Sequence, residues 1–142
     1  MDRYLLATHI ALKQGDKYLL IQRADDGHAP LQWEFPGGKV VDGNGVGVHI
    51  REIKQAVLRE AMEEINYVPE GSINYWGVIE EDADLPCDRG WQVVNNIFEA
   101  FISEGVTFTK DDLSEEHVDI GLFTREQALR LELTVATRKY LE

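Results

Sequence analysis

The stretch "REAMEEINY", from Arg59 to Tyr67, decides how this sequence is interpreted. If it is helical, Glu60 lies three residues before Glu63 and four before Glu64, so the three carboxylates project in similar directions. Like charges at these spacings destabilise a helix by a few tenths of a kcal/mol per pair, and Arg59, four residues before Glu63, relieves part of this repulsion. These residues alone leave two interpretations open. The stretch is either a solvated charged face or a group of carboxylates that binds hard divalent cations.

The surrounding residues predict the helix itself. Apolar side chains recur at steps of three and four from Ile50 to Ile65, which predicts a helix over that range. Asn66 can end the helix in the left-handed conformation, and Pro69 prevents it from resuming.

Strand-like segments flank this helix on both sides. They are Tyr4–Lys13, Lys17–Arg23, Ser72–Glu81, Trp91–Glu104 and His117–Thr124. Two further helices are predicted near the end of the chain, one after an N-cap at Thr124 and one within Thr134–Glu142. This mixture predicts an α/β fold with a sheet covered by helices on both faces, in a single domain over residues 1–142.

The composition limits the classes of partner. The net charge of -12 disfavours binding to DNA or RNA polymers, but phosphorylated small molecules remain compatible if divalent ions bridge the two sets of negative charge. There is no apolar run of membrane-spanning length and no signal peptide, so we expect a cytoplasmic protein with no membrane partner. Cys87 is the single cysteine, which excludes an internal disulfide and a cysteine-rich zinc site. The oligomeric state stays open, with a homodimer among the alternatives.

A glycine pair changes the balance between the two interpretations of the acidic stretch. "WEFPGGK" (Trp33–Lys39) ends about twenty residues before Arg59, and its Pro36-Gly37-Gly38 segment predicts a turn. Two glycines also let a backbone carbonyl or amide approach a ligand closely. A turn of this kind beside an acidic helix favours a metal site over a solvated face.

With these two motifs the sequence resembles the Nudix hydrolases, whose box reads G-x5-E-x7-R-E-U-x-E-E-x-G-U, with U bulky and apolar. Gly38 would open the box and "REAMEEINY" would close it. Within the family it is most similar to MutT-type nucleoside triphosphatases, through "QRADDGHAPLQWEFPGGK" (Gln22–Lys39). The resemblance implies a Nudix-type α/β/α sandwich with a mixed β-sheet between helices.

The sequence departs from the family pattern in three ways. Gly38 lies 21 positions before Arg59, where the pattern has 14, so the loop before the helix is seven residues longer. The first Glu of the box is missing, because the pattern places Asn44 or Arg51 there, and Glu52 is one position away. Asn66 replaces the last Gly, a mild change because Asn also tolerates the left-handed region.

The resemblance also implies roles at the catalytic centre. Mg²⁺, or alternatively Mn²⁺, would be the cofactor. The metal ligands would be Glu60, Glu63, Glu64 and the Gly37 carbonyl. Arg59 would orient the carboxylates, and an acid before a late strand, Glu116 in preference to Glu115, would join the catalytic set with Arg59, Glu60 and Glu63. The general base would be this acid or a box Glu. His9, His49 and His117 are scattered and form no metal set by themselves.

The implied reaction is hydrolysis of a nucleoside diphosphate linked to a further group, with a (deoxy)nucleoside triphosphate giving the monophosphate and pyrophosphate. The implied substrate-binding residues are Arg23, His28, Phe35, Gly38 and Lys39. MutT-type enzymes that prefer oxidised guanine carry an Asn before the last helix, and "LELTVATRKY" has none, which argues against that preference. Two alternatives remain, a Nudix hydrolase of nucleotide sugars or dinucleoside polyphosphates, and a non-catalytic nucleotide-binding regulator.

Overall fold

A computed structural model describes residues 3–27, 29–40, 50–82 and 91–142. The strands are β1 (Arg3–Gln14), β2 (Lys17–Arg23), β3 (Trp33–Glu34), β4 (Gly37–Lys39), β5 (Asn74–Asp82), β6 (Trp91–Phe101) and β7 (His117–Thr124). The helices are α1 (Ile50–Ile65), α2 (Arg125–Ala128) and α3 (Val135–Leu141), with a 3-10 turn at Lys110–Asp112. The loop of seven additional residues, with Asn44, lies outside the described residues.

The strands form one mixed sheet. Its main path runs β3-β2-β1-β6-β5, while β4 pairs with β1 and β7 pairs with β2. The β1–β6 pair is parallel and the other pairs are antiparallel. The expectation of a mixed sheet is therefore confirmed.

Helices cover both faces of this sheet. Alternate residues of β1 point to opposite sides, as the two-residue period of a strand requires. Ile10 packs in the cluster that contains the buried face of α1, including Val57, whereas Ala11 packs in the cluster that contains Ala128 and Leu141 of α2 and α3. The three layers confirm the predicted α/β/α sandwich.

Helix α1 has the predicted bounds, and its end follows the predicted chemistry. Asn66 adopts φ 53°, in the left-handed region, and its N–H donates to the Met62 carbonyl at 3.1 Å. At α2, the Thr124 hydroxyl accepts from the Gln127 N–H, while the Gln127 side chain accepts from the Thr124 N–H. The N-cap predicted at Thr124 is thus a complete capping box.

The segment from Trp33 to Lys39 differs from the expected turn. Gly37–Lys39 forms strand β4, which pairs antiparallel with Ala7–His9 of β1. The glycines allow this pairing because a Cβ at Gly37 would lie 2.1 Å from the Thr8 carbonyl oxygen. Close contact between two strands, rather than reversal of the chain, is therefore what requires glycine at position 37.

Among the described residues, no helix combines the length and the apolar character that a membrane span needs.

Candidate active site

Strand β4 and helix α1 meet through a hydrogen bond between the two predicted motifs. The Gly37 N–H donates to Glu64 Oε1 at 2.7 Å, and Glu64 is 3% exposed. This contact joins residues 27 positions apart in sequence. It places the box carboxylates at the edge of β4, where the missing side chain of glycine leaves room for them.

Gly38 provides the second contact between the motifs. A Cβ at Gly38 would lie 2.9 Å from the Glu60 Cδ atom and 3.0 and 3.1 Å from its carboxylate oxygens. The Glu60 carboxylate therefore occupies the space that a side chain at position 38 would fill.

Arg59 holds the two more accessible carboxylates from the outer side of the helix. Its guanidinium lies 3.6 Å from Glu60 Oε1 and 3.9 Å from Glu63 Oε1. The Glu63 side chain is 59% exposed and the Glu60 side chain 19% exposed. Such exposed ion pairs contribute at most about 1 kcal/mol each, so the arrangement orients the carboxylates more than it stabilises the fold.

The carboxylates raise one another's pKa. Burial raises the pKa of Glu60, and the charges of Glu63 and Glu116 raise it further while Arg59 lowers it. Burial raises the pKa of Glu64 to about 9, with further contributions from Glu34, Glu60 and Glu116. Glu116, before β7, is thus close enough to act on both helix carboxylates. Glu115 is exposed beside it.

Sequence reasoning missed a buried cluster formed by Glu34, Glu64 and His117. One ligand atom of each lies within 4.8 Å of the others. His117 Nε2 lies 2.9 Å from Glu34 Oε2 and 3.5 Å from Glu64 Oε2. Glu34 lies in β3 inside the quoted "WEFPGGK", and His117 directly follows Glu116. Both residues therefore lie beside motif residues in the sequence, which hints that they belong to the site. Their contact with each other is visible only in the three-dimensional structure.

The pKa values of the two buried carboxyls in this cluster shift in opposite directions. Burial opposes ionisation of Glu34, but His117 and Arg23 outweigh it and lower its pKa. Arg23 Nη1 donates to Glu34 Oε2 at 3.0 Å. The surroundings therefore favour the ionised form of Glu34 and the neutral form of Glu64.

A cleft opens beside these carboxylates. It has a volume of ≈ 210 Å³, and Arg23, Gly38 and Lys39 are among the residues that line it. Phe35 is placed elsewhere: it is 1% exposed and packs against Tyr18 and Tyr140 in the core. His28 lies outside the described residues.

The donor set suits a hard divalent cation. Carboxylate oxygens converge at the β4–α1 junction, and their mutual repulsion is what a cation would relieve. The Gly37 N–H fixes one carboxylate and Arg59 fixes another. Cationic side chains of Arg23 and Lys39 in the adjoining cleft can bind phosphate oxygens.

Comparison with known proteins finds one family that matches most of the chain. The NUDIX domain family matches residues 3–142. The 8-oxo-dGTP diphosphatase of Escherichia coli (strain K12) is 31% identical over 70 residues, which cover 49% of this chain and 49% of that protein. The match therefore spans about half the length of this curated relative.

Solved structures share the fold over nearly the whole chain. The MutT protein from Methanosarcina mazei Go1 has a TM-score of 0.75 at 19% identity, covering 99% of this chain and 91% of that one. The MutT NUDIX hydrolase from Burkholderia pseudomallei has a TM-score of 0.72 at 25% identity, covering 99% and 97%. The NUDIX domain of Shewanella oneidensis NrtR, solved with ADP ribose, has a TM-score of 0.73 at 19% identity, covering 99% and 86%.

Proposed function

The chain belongs to the Nudix family, and from this premise we propose that it hydrolyses a (deoxy)nucleoside triphosphate to the monophosphate and pyrophosphate, with Mg²⁺ as cofactor. One observation supports the proposal: Glu64 accepts a hydrogen bond from Gly37, and Gly37 lines a cleft that also contains Arg23 and Lys39. A regulator that only binds nucleotide has no need of this carboxylate set, and Arg59, Glu60, Glu63 and Glu64 are all present.

The metal ligands in this proposal are Glu60, Glu63, Glu64 and the Gly37 carbonyl. Bound divalent cations would neutralise phosphate oxygens and acidify the attacking water. The chain supplies the geometry: Arg59 holds Glu60 and Glu63, and the Gly37 N–H holds Glu64. Arg23, itself held by Glu34, and Lys39 bind the phosphate chain from the cleft side.

We assign the general base to Glu116. Its charge raises the pKa of both Glu60 and Glu64, and this supports a place for its carboxylate near them. Glu116 could take a proton from a water that lies between it and the helix carboxylates. The ion pairs of Arg59 with Glu60 and Glu63 would stay intact. Glu115, exposed and adjacent, offers a matched control.

The test is a panel of nucleoside triphosphates, ADP-ribose, a nucleotide sugar and a dinucleoside polyphosphate, with Mg²⁺, Mn²⁺ or EDTA and chromatographic identification of products. We expect monophosphate and pyrophosphate from a triphosphate, and no turnover in EDTA. Glu116→Gln should lower kcat by about a hundredfold or more, within the usual range for loss of a general base, while Glu115→Gln leaves it unchanged. If no triphosphate yields pyrophosphate, the assignment of a triphosphate as substrate is wrong. If ADP-ribose or a nucleotide sugar is cleaved faster than every triphosphate, that compound class is the substrate instead.

A further inference from the structure

Four neighbouring strands, β4, β1, β6 and β5, contribute side chains to the lining of the cleft. Lys39 of β4 pairs with Ala7 of β1, Ala7 pairs with Asn95 of β6, and Asn95 pairs with Ile79 of β5. Glu81 lies two residues after Ile79, on the same face of the strand. With about 4.8 Å between neighbouring strands, three steps separate β4 from β5 by about 14 Å. The cleft thus extends from the carboxylate site to Glu81.

Asn95 connects the floor of the cleft to Glu81. It is 2% exposed, and its Nδ2 donates to the Ile79 carbonyl at 3.0 Å and to Glu81 Oε1 at 2.9 Å. Both partners are acceptors, so the amide nitrogen must face them. The orientation of the side-chain amide is therefore fixed by chemistry.

His9 completes a directed chain of hydrogen bonds. His9 Nε2 lies 2.8 Å from Asn95 Oδ1, and because that oxygen is an acceptor, Nε2 must carry the hydrogen. Flipping the Asn95 amide would break three hydrogen bonds at once. The chain from His9 through Asn95 holds the Glu81 carboxylate in one position at the far end of the cleft.

We propose that Glu81 is a specificity residue that accepts hydrogen bonds from the N–H groups of a guanine edge, which deepens the proposed function and rests on it. A carboxylate is an acceptor only, and among the described residues Glu81 accepts one hydrogen bond, from Asn95, which leaves lone-pair sites for a ligand. Guanine presents two adjacent donors, N1–H and the 2-amino group, which match the two oxygens of a carboxylate. Adenine and cytosine pair one donor with an acceptor on this edge, and the acceptor would face negative charge.

The dimensions and lining of the cleft fit a nucleotide in this orientation. The phosphates would lie at the β4 end, near Arg23 and Lys39, and the base at the β5 end. Leu5, Val93 and Val135 line the cleft and give the base faces apolar contacts. An oxidised guanine keeps the same two donors, so Glu81 selects the guanine edge without distinguishing oxidised from ordinary guanine.

Nucleoside monophosphates test this inference independently of hydrolysis. Binding of GMP, IMP and AMP is measured by calorimetry in Mg²⁺, because IMP differs from GMP only by the 2-amino group. We expect GMP to bind about tenfold more tightly than IMP, the effect of one hydrogen bond to a charged group. Equal affinities, or no measurable binding of GMP, would overturn the assignment.

Two variants attribute the preference to Glu81. In Glu81→Gln, the amide oxygen can take the Asn95 bond, so the fold is kept and an N–H group faces the base. We expect the affinity for GMP to exceed the affinity for IMP by less than about threefold in this variant, from the same hydrogen-bond argument. Glu80→Gln, an exposed neighbour on the same strand, should keep the wild-type ratio. A ratio that survives Glu81→Gln contradicts the role of Glu81.

Assays of triphosphate hydrolysis distinguish an error in the role of Glu81 from an error in the proposed activity. If no triphosphate is hydrolysed but the GMP preference and its loss in Glu81→Gln are observed, the specificity assignment stands and the activity falls. If dGTP and dITP are hydrolysed with equal kcat/KM, the activity stands and the specificity assignment falls.

Discussion

Replacing Glu64 by glutamine should stabilise the metal-free protein while abolishing its activity. Burial, followed by the charge of Glu34, raises the pKa of Glu64 to about 9. The amide oxygen of glutamine can still accept the Gly37 N–H bond that Glu64 accepts at 2.7 Å. The substitution therefore removes the cost of protonating this carboxyl on folding and keeps the contact that positions the side chain.

The sign of the effect follows from proton linkage. The folded-state pKa of Glu64 lies above its ordinary value of 4.5, so between these values the folded protein holds a proton that the unfolded chain has lost. As pH rises from 4.5 towards about 9, this group lowers the free energy of unfolding by about 1.4 kcal/mol per pH unit. At pH 7 the wild type should be less stable than Glu64→Gln by about 3 kcal/mol.

Urea unfolding in EDTA at pH 5.5, 7 and 8.5 measures this difference, with activity in Mg²⁺ assayed in parallel. The gap between Glu64→Gln and wild type should widen with pH and narrow when Mg²⁺ binds the wild type. Glu70→Gln, at an exposed position beyond α1, should show no such dependence. A gap that stays constant with pH, or a variant less stable than wild type at pH 8.5, refutes the protonation assigned to Glu64.

Substitutions at Gly37, Asn66 and Thr124 test the local structure by thermal unfolding. Gly37→Ala should destabilise the protein by more than about 3 kcal/mol because its Cβ would lie 2.1 Å from a backbone oxygen, whereas Gly71→Ala, with nothing within 4 Å, should change stability by less than about 0.5 kcal/mol; similar values for both would contradict the strand pairing. Asn66→Ala should cost about 1 kcal/mol and Asn66→Gly should cost nothing, since φ is 53°. Thr124→Ala should cost about 1 kcal/mol through loss of the capping box, and an unchanged melting temperature would exclude that cap.

Local chemistry made much of the fold predictable. Helix α1 begins at Ile50 and ends at Ile65 as predicted, because the apolar residues recur with a helical period up to Ile65 and Asn66 then adopts the left-handed conformation that ends the helix. Strands β2 and β7 also match their predicted ranges. These elements are specified by residues within a few positions of one another, and a pattern search detects that kind of information.

The β4 segment was not predictable in the same way. Pro36-Gly37-Gly38 satisfies the rules for a turn, and the pairing of Gly37 with His9 depends on a strand 28 positions earlier. The same limit applied to the site. The helix carboxylates could be grouped from their spacing, but the Glu34–His117 contact joins residues 83 positions apart and has no local signature.

The buried Glu34, Glu64 and His117 cluster is better explained by function than by stability. Two carboxyls and an imidazole lie together in the interior, where an ionised group is costly unless it is compensated. Arg23 and His117 compensate Glu34, but burial raises the pKa of Glu64, and the described residues near it do not offset that cost. An apolar side chain at position 64 would avoid this cost entirely. A carboxylate kept there, fixed by the Gly37 N–H and opposed by its neighbours, makes sense if a cation supplies the missing positive charge. The instability predicted for the metal-free protein and the metal dependence proposed for catalysis therefore have the same electrostatic origin.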